Sequence, residues 1–168
     1  MTVSILIGSI VVGVGATLVQ DLWNLLLKWV FGIPSLNLKL LGRWLCYMPA
    51  GKFSHANINA AEPKGPENFI GVFAHYSIGV AFSMILVLTT NGGWLARPTL
   101  VPALVISLVT LVFPFFFLQP ALGLGFASSK APNPSMARLK SVMSHVAFGI
   151  GLYLCALPVS YLPQIRPQ

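Results

Sequence analysis

Charged side chains are scarce in this sequence. Asp, Glu, Lys and Arg make up only 8% of its 168 residues, whereas hydrophobic residues make up 56% and the mean hydropathy is +0.82. Soluble domains carry about 25% charged residues, because their surface faces water. The composition therefore excludes an ordinary water-soluble domain and indicates a protein embedded in lipid.

Acidic residues, cysteines and catalytic motifs are also few. The chain has three acidic residues and two cysteines. It contains no nucleophile elbow, P-loop, dinucleotide fingerprint or paired-cysteine zinc spacing. Cys46 and Cys155 are expected on opposite sides of a bilayer, which argues against a disulfide between them. The sequence thus offers no motif for an enzyme, and a non-enzymatic role is favoured.

Four long apolar segments are what the sequence does contain. Hydrophobic stretches of about 18 or more residues with few charges are typical of transmembrane helices. The segments cover about residues 3–27, 68–90, 99–127 and 137–162. They predict an all-α, polytopic membrane protein with a single four-helix transmembrane domain over residues 1–168. Because Asp21 interrupts the first segment and no basic region precedes it, we expect an uncleaved helix and not a signal peptide.

The basic residues are unevenly distributed along the chain. Of the ten Lys and Arg residues, all but Arg97 and Arg166 fall either in the loop after the first segment or in the loop before the fourth segment and the first turn of that segment. By the positive-inside rule, these two loops are cytoplasmic, and both termini lie outside a cytoplasmic (inner) membrane. The distribution argues against nucleic-acid binding and predicts contact with the bilayer's anionic headgroups.

A shorter amphipathic segment lies between the first two spans. In residues 35–48, "SLNLKLLGRWLCYM", apolar residues recur at helical spacing, and Lys39 and Arg43 take the other face. The segment is too short to cross a bilayer, so we predict an interfacial helix on the cytoplasmic surface. Lys39 and Arg43, with Arg138 and Lys140 of the second basic loop, are the expected headgroup ligands.

The third segment contains three prolines. Pro102 falls near its start, whereas Pro114 and Pro120 lie within the run "FPFFFLQP". An interior proline removes a helical hydrogen bond and bends the helix. We therefore expect the third helix to bend or break at Pro114 and Pro120.

The second and fourth segments resemble each other. "AHYSIGVAF" (74–82) aligns with "SHVAFGIGL" (144–152), which matches His75 with His145 and Gly79 with Gly149. The match predicts two helical hairpins of the same orientation, related by an axis along the membrane normal.

Each span also carries one polar residue at a similar predicted depth. Asp21, His75, Gln119 and His145 lie about 10 to 12 Å inside the cytoplasmic boundary by helical rise. A carboxylate in a span is costly and usually faces the bundle interior. We therefore expect a pocket in the inner leaflet that binds a ligand or relays a proton. Because the outer half offers only uncharged polar side chains, the pattern favours a pocket and not a pore.

Three functions fit this polar layer. The leading hypothesis is transport or proton-linked handling of a small solute. The second is a haem- or metal-binding redox protein, in which His75 and His145 are axial ligands and Gly79 and Gly149 leave space for the macrocycle. The third is a non-catalytic membrane scaffold or subunit, in which the polar residues only hydrogen-bond neighbouring helices.

Two further features are suggested by residue type. Cys46, Met48 and His55 are soft ligands suited to Cu(I), although no paired cysteine or histidine cluster reinforces them. Ser9 and Gly13 form a small-residue face on the first helix, which favours a homodimer.

Four stretches together resemble a family of small bacterial four-helix inner-membrane proteins, known as a domain of unknown function. They are "GVGATLVQDLW" (13–23), "GRWLCYMPAGKFSH" (42–55), "AHYSIGVAF" (74–82) and "FPFFFLQPALGLGFASSKAPNP" (113–134). The resemblance covers most of the chain. It implies a four-span membrane protein and assigns no ligand or catalytic residue.

Overall fold

The computed structural model describes residues 3–34 and 37–163. Within these ranges the chain is helical and contains no β-strand. The α-helices are α1 (Val3–Phe31), α2 (Leu38–Tyr47), α3 (Glu67–Thr89), α4 (Gly93–Ala96), α5 (Leu100–Val109), α6 (Gln119–Ala121) and α7 (Pro134–Ser160). Ser35 and Leu36 of the amphipathic segment, and Arg166, lie outside the described residues.

Four helical segments are long and apolar enough to cross a membrane. They are Val3–Phe31, Glu67–Thr89, Leu100–Ala121 and Pro134–Ser160. The predicted all-α, four-span fold is confirmed, and the protein is an integral, multi-pass membrane protein. The third span ends before the predicted residue 127, because Gly123 and Gly125 adopt φ values of 90° and 71°, which turn the chain out of the helix.

The third span is broken where Pro114 predicts it. Pro114 has no N–H to donate to the carbonyl of Thr110, four residues earlier. That carbonyl instead accepts from Phe113 N at 3.0 Å, and the α-helix α5 ends at Val109. The chain then winds through a π-helical turn over Pro114–Leu118 into α6. The span is therefore two helical pieces joined at Thr110 and Leu111.

The amphipathic segment forms α2. The Asn37 side chain caps it by accepting from Lys39 N at 3.1 Å. Leu41, Gly42 and Arg43 are buried, whereas Lys39 is exposed. The segment thus buries Arg43 together with Leu41 and Gly42, which differs from the all-apolar face that the sequence predicts.

The chain divides into two compact units. The first unit contains α1, α4, α5 and the parts of α3 and α7 from Tyr76 and Ser144 onward. Its core consists of buried apolar side chains from all five helices: Val12, Ala16, Leu86, Val87, Trp94, Leu95, Ala103, Phe148, Leu152, Ala156 and Val159.

The second unit contains α2, the π-helical turn, α6 and the beginnings of α3 and α7. Here α2 lies directly against α3, and two glycines permit this close approach. A Cβ at Gly42 would clash with the Glu67 carbonyl, and a Cβ at Gly71 would clash with the Leu38 carbonyl. The loop after α2 is attached to the end of α6. His55 N donates to Ala121 O at 2.8 Å, and Ile58 N donates to Leu122 O at 3.1 Å.

Candidate functional site

The first unit holds Asp21 on α1 in contact with Tyr76 on α3. The Tyr76 hydroxyl donates to the Asp21 carboxylate with an O–O distance of 3.1 Å. Asp21 and Tyr76 are both half-buried. Placing a carboxylate inside a membrane is unfavourable in free energy, and such acids are expected to find partners. The Asp21 carboxylate accordingly accepts a hydrogen bond from the neighbouring helix.

A second polar contact joins α1 to α7. Ser144 Oγ donates to Asn24 Oδ1 at 2.6 Å, and both side chains are buried. Asn24 follows Asp21 by about one helical turn. The two contacts give α1 a polar stripe that reaches α3 at one level and α7 at the next.

The four sequence-predicted residues fall in both units. Asp21 and His145 belong to the first unit, and His75 and Gln119 belong to the second. Sequence reasoning missed Tyr76, Asn24 and Ser144. Tyr76 and Ser144 directly adjoin His75 and His145 in the sequence, and this adjacency could have revealed them. The common four-residue pocket stays a prediction.

Buried hydroxyls in the first unit bond mainly to their own helices. Ser9, Thr17 and Ser107 donate to carbonyls three or four residues earlier, at 2.8, 2.8 and 2.9 Å. Ser83 Oγ is buried and has no partner among the described residues. Ser9, Thr17 and Ser107 thus use their hydroxyl hydrogens on the backbone of their own helices.

Neighbouring helices fill the space beside the two glycines of the haem hypothesis. A Cβ on Gly79 would clash with Thr17 Oγ1 of α1, and a Cβ on Gly149 would clash with Ser107 Oγ of α5. Gly79 and Gly149 therefore let helices approach and leave no space for a macrocycle at these positions. This corrects the role that the haem hypothesis gives them.

These two glycine contacts correspond in detail. A Cβ on Gly79 would contact Thr17 Oγ1 and the carbonyl of Gly13. A Cβ on Gly149 would contact Ser107 Oγ and the carbonyl of Ala103. In each pair the hydroxyl residue follows the carbonyl residue by four positions. The correspondence supports the two-hairpin repeat. It also aligns Asp21 with Leu111, so Asp21 and Gln119 are not equivalent positions in the two halves.

The small-residue face of α1 is used inside the chain. Ser9 is fully buried, and a Cβ on Gly13 would clash with the backbone of Val80 on α3. The face on which the sequence bases a homodimer therefore packs against α3, which corrects that expectation.

Arg43 is a buried structural residue. Its Nε and Nη2 donate to the Glu67 carboxylate at 2.8 and 3.0 Å, and its Nη1 donates to the carbonyls of Ile58 and Ala61. Hydrogen bonding to Glu67 raises the pKa of Arg43 above its ordinary value. Because the Arg43 guanidinium is buried and donates to Glu67 and to two carbonyls, it does not bind a lipid headgroup. This corrects the sequence prediction.

The other expected headgroup residues differ from Arg43. Lys39 and Arg138 are exposed, Lys140 is half-buried, and Arg138 Nε donates to Ala127 O at 2.8 Å. The small number of acidic residues could have revealed the ion pair between Arg43 and Glu67. Two of the chain's three acids, Glu62 and Glu67, lie where α3 begins, close to a surplus of basic residues.

His55 is buried, and the ring of Tyr47 packs edge-on against it with centroids 4.9 Å apart. Its Nε2 has no hydrogen-bond partner among the described residues. Burial lowers the pKa of His55, and the nearby Lys52 lowers it further. The copper hypothesis gains no support, since no three His, Cys, Asp or Glu side chains converge as metal ligands in the described ranges.

The second unit also contains a polar contact between α6 and α7. Gln119 Nε2 lies 3.4 Å from Ser141 Oγ, and Ser141 Oγ donates to its own helix at Ala137 O with a distance of 3.0 Å. Gln119 is buried, and its Oε1 has no partner in the part of the chain that the structure describes.

Comparison with known proteins identifies a family but no activity. Residues 10–159 match the model of a family described as "Protein of unknown function (DUF2938)". No curated protein and no solved structure gives a significant match. Because the family match covers most of the sequence and includes the larger part of each span, the chain belongs to this family.

Proposed function

We propose that the protein handles a small solute in the membrane, by transport linked to protonation of Asp21. The observation that carries this proposal is the hydrogen bond from Tyr76 to Asp21 within the spanning helices. Asp21 is the single aspartate of the sequence. A carboxylate at this position changes the charge inside the membrane when it gains a proton or meets a cation.

The surroundings of Asp21 suit a binding site. Asn24 and Ser144 supply neutral polar groups one turn away. His145 follows Ser144 in the sequence and stays a predicted member of the site. A site with an acid, a phenol and an amide can exchange hydrogen-bond partners with a solute.

The third span offers a mechanical element for transport. The buried hydroxyls of the first unit do not favour a permanent polar path, so a solute would need a conformational change. The break at Thr110 and Leu111 supports this proposal, because a helix that lacks one backbone hydrogen bond bends there at low cost.

The orientation and lipid contacts belong to the same proposal. The charge distribution favours a cytoplasmic (inner) membrane with both termini outside. Lys39, Arg138 and Lys140, and not Arg43, are then the candidates for anionic headgroups of the inner leaflet.

Transport can be tested in proteoliposomes that contain a pH-sensitive dye. A panel of small solutes is added outside, and internal pH is recorded for the wild type, Asp21→Asn and Tyr76→Phe. We expect at least one solute to drive proton movement, Asp21→Asn to abolish it, and Tyr76→Phe to slow it. Glu62→Gln is the matched control, because Glu62 is an exposed acid outside the spans. Equal proton movement in Asp21→Asn and the wild type would contradict the proposal.

A second test uses NMR of protein labelled with aspartate that carries ¹³C in its side-chain carboxyl. Since Asp21 is the single aspartate, this label gives one side-chain carboxyl signal. A transported solute should shift that signal at constant pH. An unchanged signal at a saturating concentration would place the solute elsewhere.

A further inference from the structure

Gln119 presents a buried hydrogen-bond acceptor in the third span. The residue is 9% exposed and begins α6, directly after the π-helical turn. Its side-chain oxygen is inaccessible to solvent and receives no hydrogen bond from the described residues.

The orientation of the Gln119 amide follows from its neighbour. Ser141 donates its hydroxyl hydrogen to Ala137 O, so the Ser141 oxygen accepts from the Gln119 amide nitrogen. With the amide rotated by 180°, the Ser141 hydroxyl would have to give up its bond to Ala137 O in order to donate to Oε1. The network therefore directs Nε2 toward Ser141 and leaves Oε1 pointing away from it.

An acceptor in this state is unusual for a folded protein. Buried polar atoms nearly always have a partner, because an acceptor that loses water without gaining a donor is destabilising. The backbone beside it is unusual as well. The Gln119 N–H donates to the Pro114 carbonyl, five residues earlier, and such π-helical turns are frequent at functional sites.

We propose that Gln119 Oε1 accepts a hydrogen bond from the N–H of a small organic ammonium ion. An amide oxygen can only accept, so an anion or an ether offers it nothing. An ammonium ion donates N–H and is attracted by the negative end of the amide dipole. The proposal rests on the proposed function, because it names the chemical class of the solute. The hydrogen bond that it assigns is made by Gln119, which belongs to the second unit.

The test uses the full chain in lipid nanodiscs, with methylammonium and tetramethylammonium as probes. Both are monovalent cations, but tetramethylammonium has no N–H to donate. We expect methylammonium to raise the midpoint of thermal unfolding by a few degrees. We expect tetramethylammonium to have no such effect at equal concentration.

Variants identify the acceptor. Gln119→Met keeps an unbranched side chain without the amide and should lose at least tenfold in methylammonium affinity. Ser135→Ala is the matched control, because Ser135 is an exposed hydroxyl residue on the same helix as Ser141; it should keep the affinity of the wild type. If Gln119→Met does not fold, Gln119→Glu keeps the acceptor and adds a negative charge, and should bind methylammonium several-fold more tightly than the wild type.

Three results would overturn the proposal. They are an equal shift with tetramethylammonium, an unchanged methylammonium affinity in Gln119→Met or Gln119→Glu, and no response of the wild type to methylammonium. Failure of the proposed function gives a different pattern. In that case methylammonium still stabilises the protein through Gln119, while no solute moves protons in an Asp21-dependent way.

Discussion

Arg43 and Glu67 form a two-pronged ion pair that attaches α2 to the first residue of α3. The N–O distances are 2.8 and 3.0 Å, and both side chains are about nine-tenths buried, at 11% and 10% exposure. Arg43 also binds two loop carbonyls, and Lys64 N donates to Glu67 at 3.0 Å. One guanidinium therefore joins a helix, a loop and the start of a span.

Removing either partner of this pair should destabilise the second unit. In Arg43→Met or Glu67→Gln, one charge stays buried without its counter-charge, and the midpoint of thermal unfolding should fall by roughly 5 to 10 °C. Arg43→Lys should also lose stability, because an ammonium cannot make the two parallel bonds. Lys39→Met, on the same helix but exposed, is the control and should change little. Equal midpoints for Arg43→Met and Lys39→Met would show that the pair adds no stability.

The contact of Gly79 with Thr17 predicts a rescue experiment. Gly79→Ala should lower the free energy of unfolding by about 1 to 3 kcal/mol, because the new methyl group overlaps Thr17 Oγ1. Thr17→Ala should restore part of this loss in the double variant. Gly93→Ala is the control, since a Cβ at Gly93 would meet nothing within 4 Å apart from its chain neighbours and its own helix backbone. Strictly additive effects of Gly79→Ala and Thr17→Ala would mean that the two residues do not touch.

The bond between Asn24 and Ser144 can be measured with a double-mutant cycle. Hydrogen bonds between membrane helices contribute about 0.6 kcal/mol on average and up to about 1.7. Because this bond is buried, we expect a coupling energy in the upper part of that range between Asn24→Ala and Ser144→Ala. Ser160→Ala is the control, because the Ser160 hydroxyl donates to Leu157 O of its own helix; it should not couple to Asn24. A coupling near zero would leave α1 and α7 held by apolar packing.

His55 should make the second unit sensitive to acid. Its pKa is lowered in the folded protein by burial and by Lys52, so a proton binds the unfolded chain more tightly. The stability that neutral His55 contributes is fully present above its ordinary pKa of about 6.5 and declines as the pH falls toward the lowered value. Hydrogen exchange at His55 and Ile58, whose amides bind α6, should accelerate on acidification.

The control for this prediction is His55→Phe. Phenylalanine keeps a flat ring beside Tyr47 but cannot take up a proton. Its exchange rates at these two sites, corrected for intrinsic pH dependence, should stay constant between neutral and mildly acidic pH. If wild type and variant respond to acid alike, another group is responsible.

Sequence predicted those features that depend on local chemistry. The spans follow from uninterrupted apolar length, and the break in the third span follows from Pro114, which cannot donate to Thr110. The alignment also matches Gly79 with Gly149, each four residues after a histidine. Whether they admit a ligand or a helix depends on which residue lies opposite, and composition does not contain that information.

Arg43 shows where sequence reasoning ends. An arginine on an amphipathic helix beside a membrane fits a headgroup ligand, until the chain brings Glu67 within 2.8 Å of it. The partner lies 24 positions away, so no helical periodicity connects the two residues. The same holds for Tyr76 with Asp21 and for Ser144 with Asn24, which are 55 and 120 positions apart.

The sequence by itself determined a four-span helical membrane protein with few, buried polar groups, because hydrophobic length and proline chemistry act within one segment. Only the tertiary structure decided which polar groups meet. Hydrogen bonds and ion pairs form between side chains that are distant in the chain, and a shift of one residue on a helix turns a side chain by about 100° and changes its partner. The pairs at Asp21 and Arg43 are therefore properties of the packed helices.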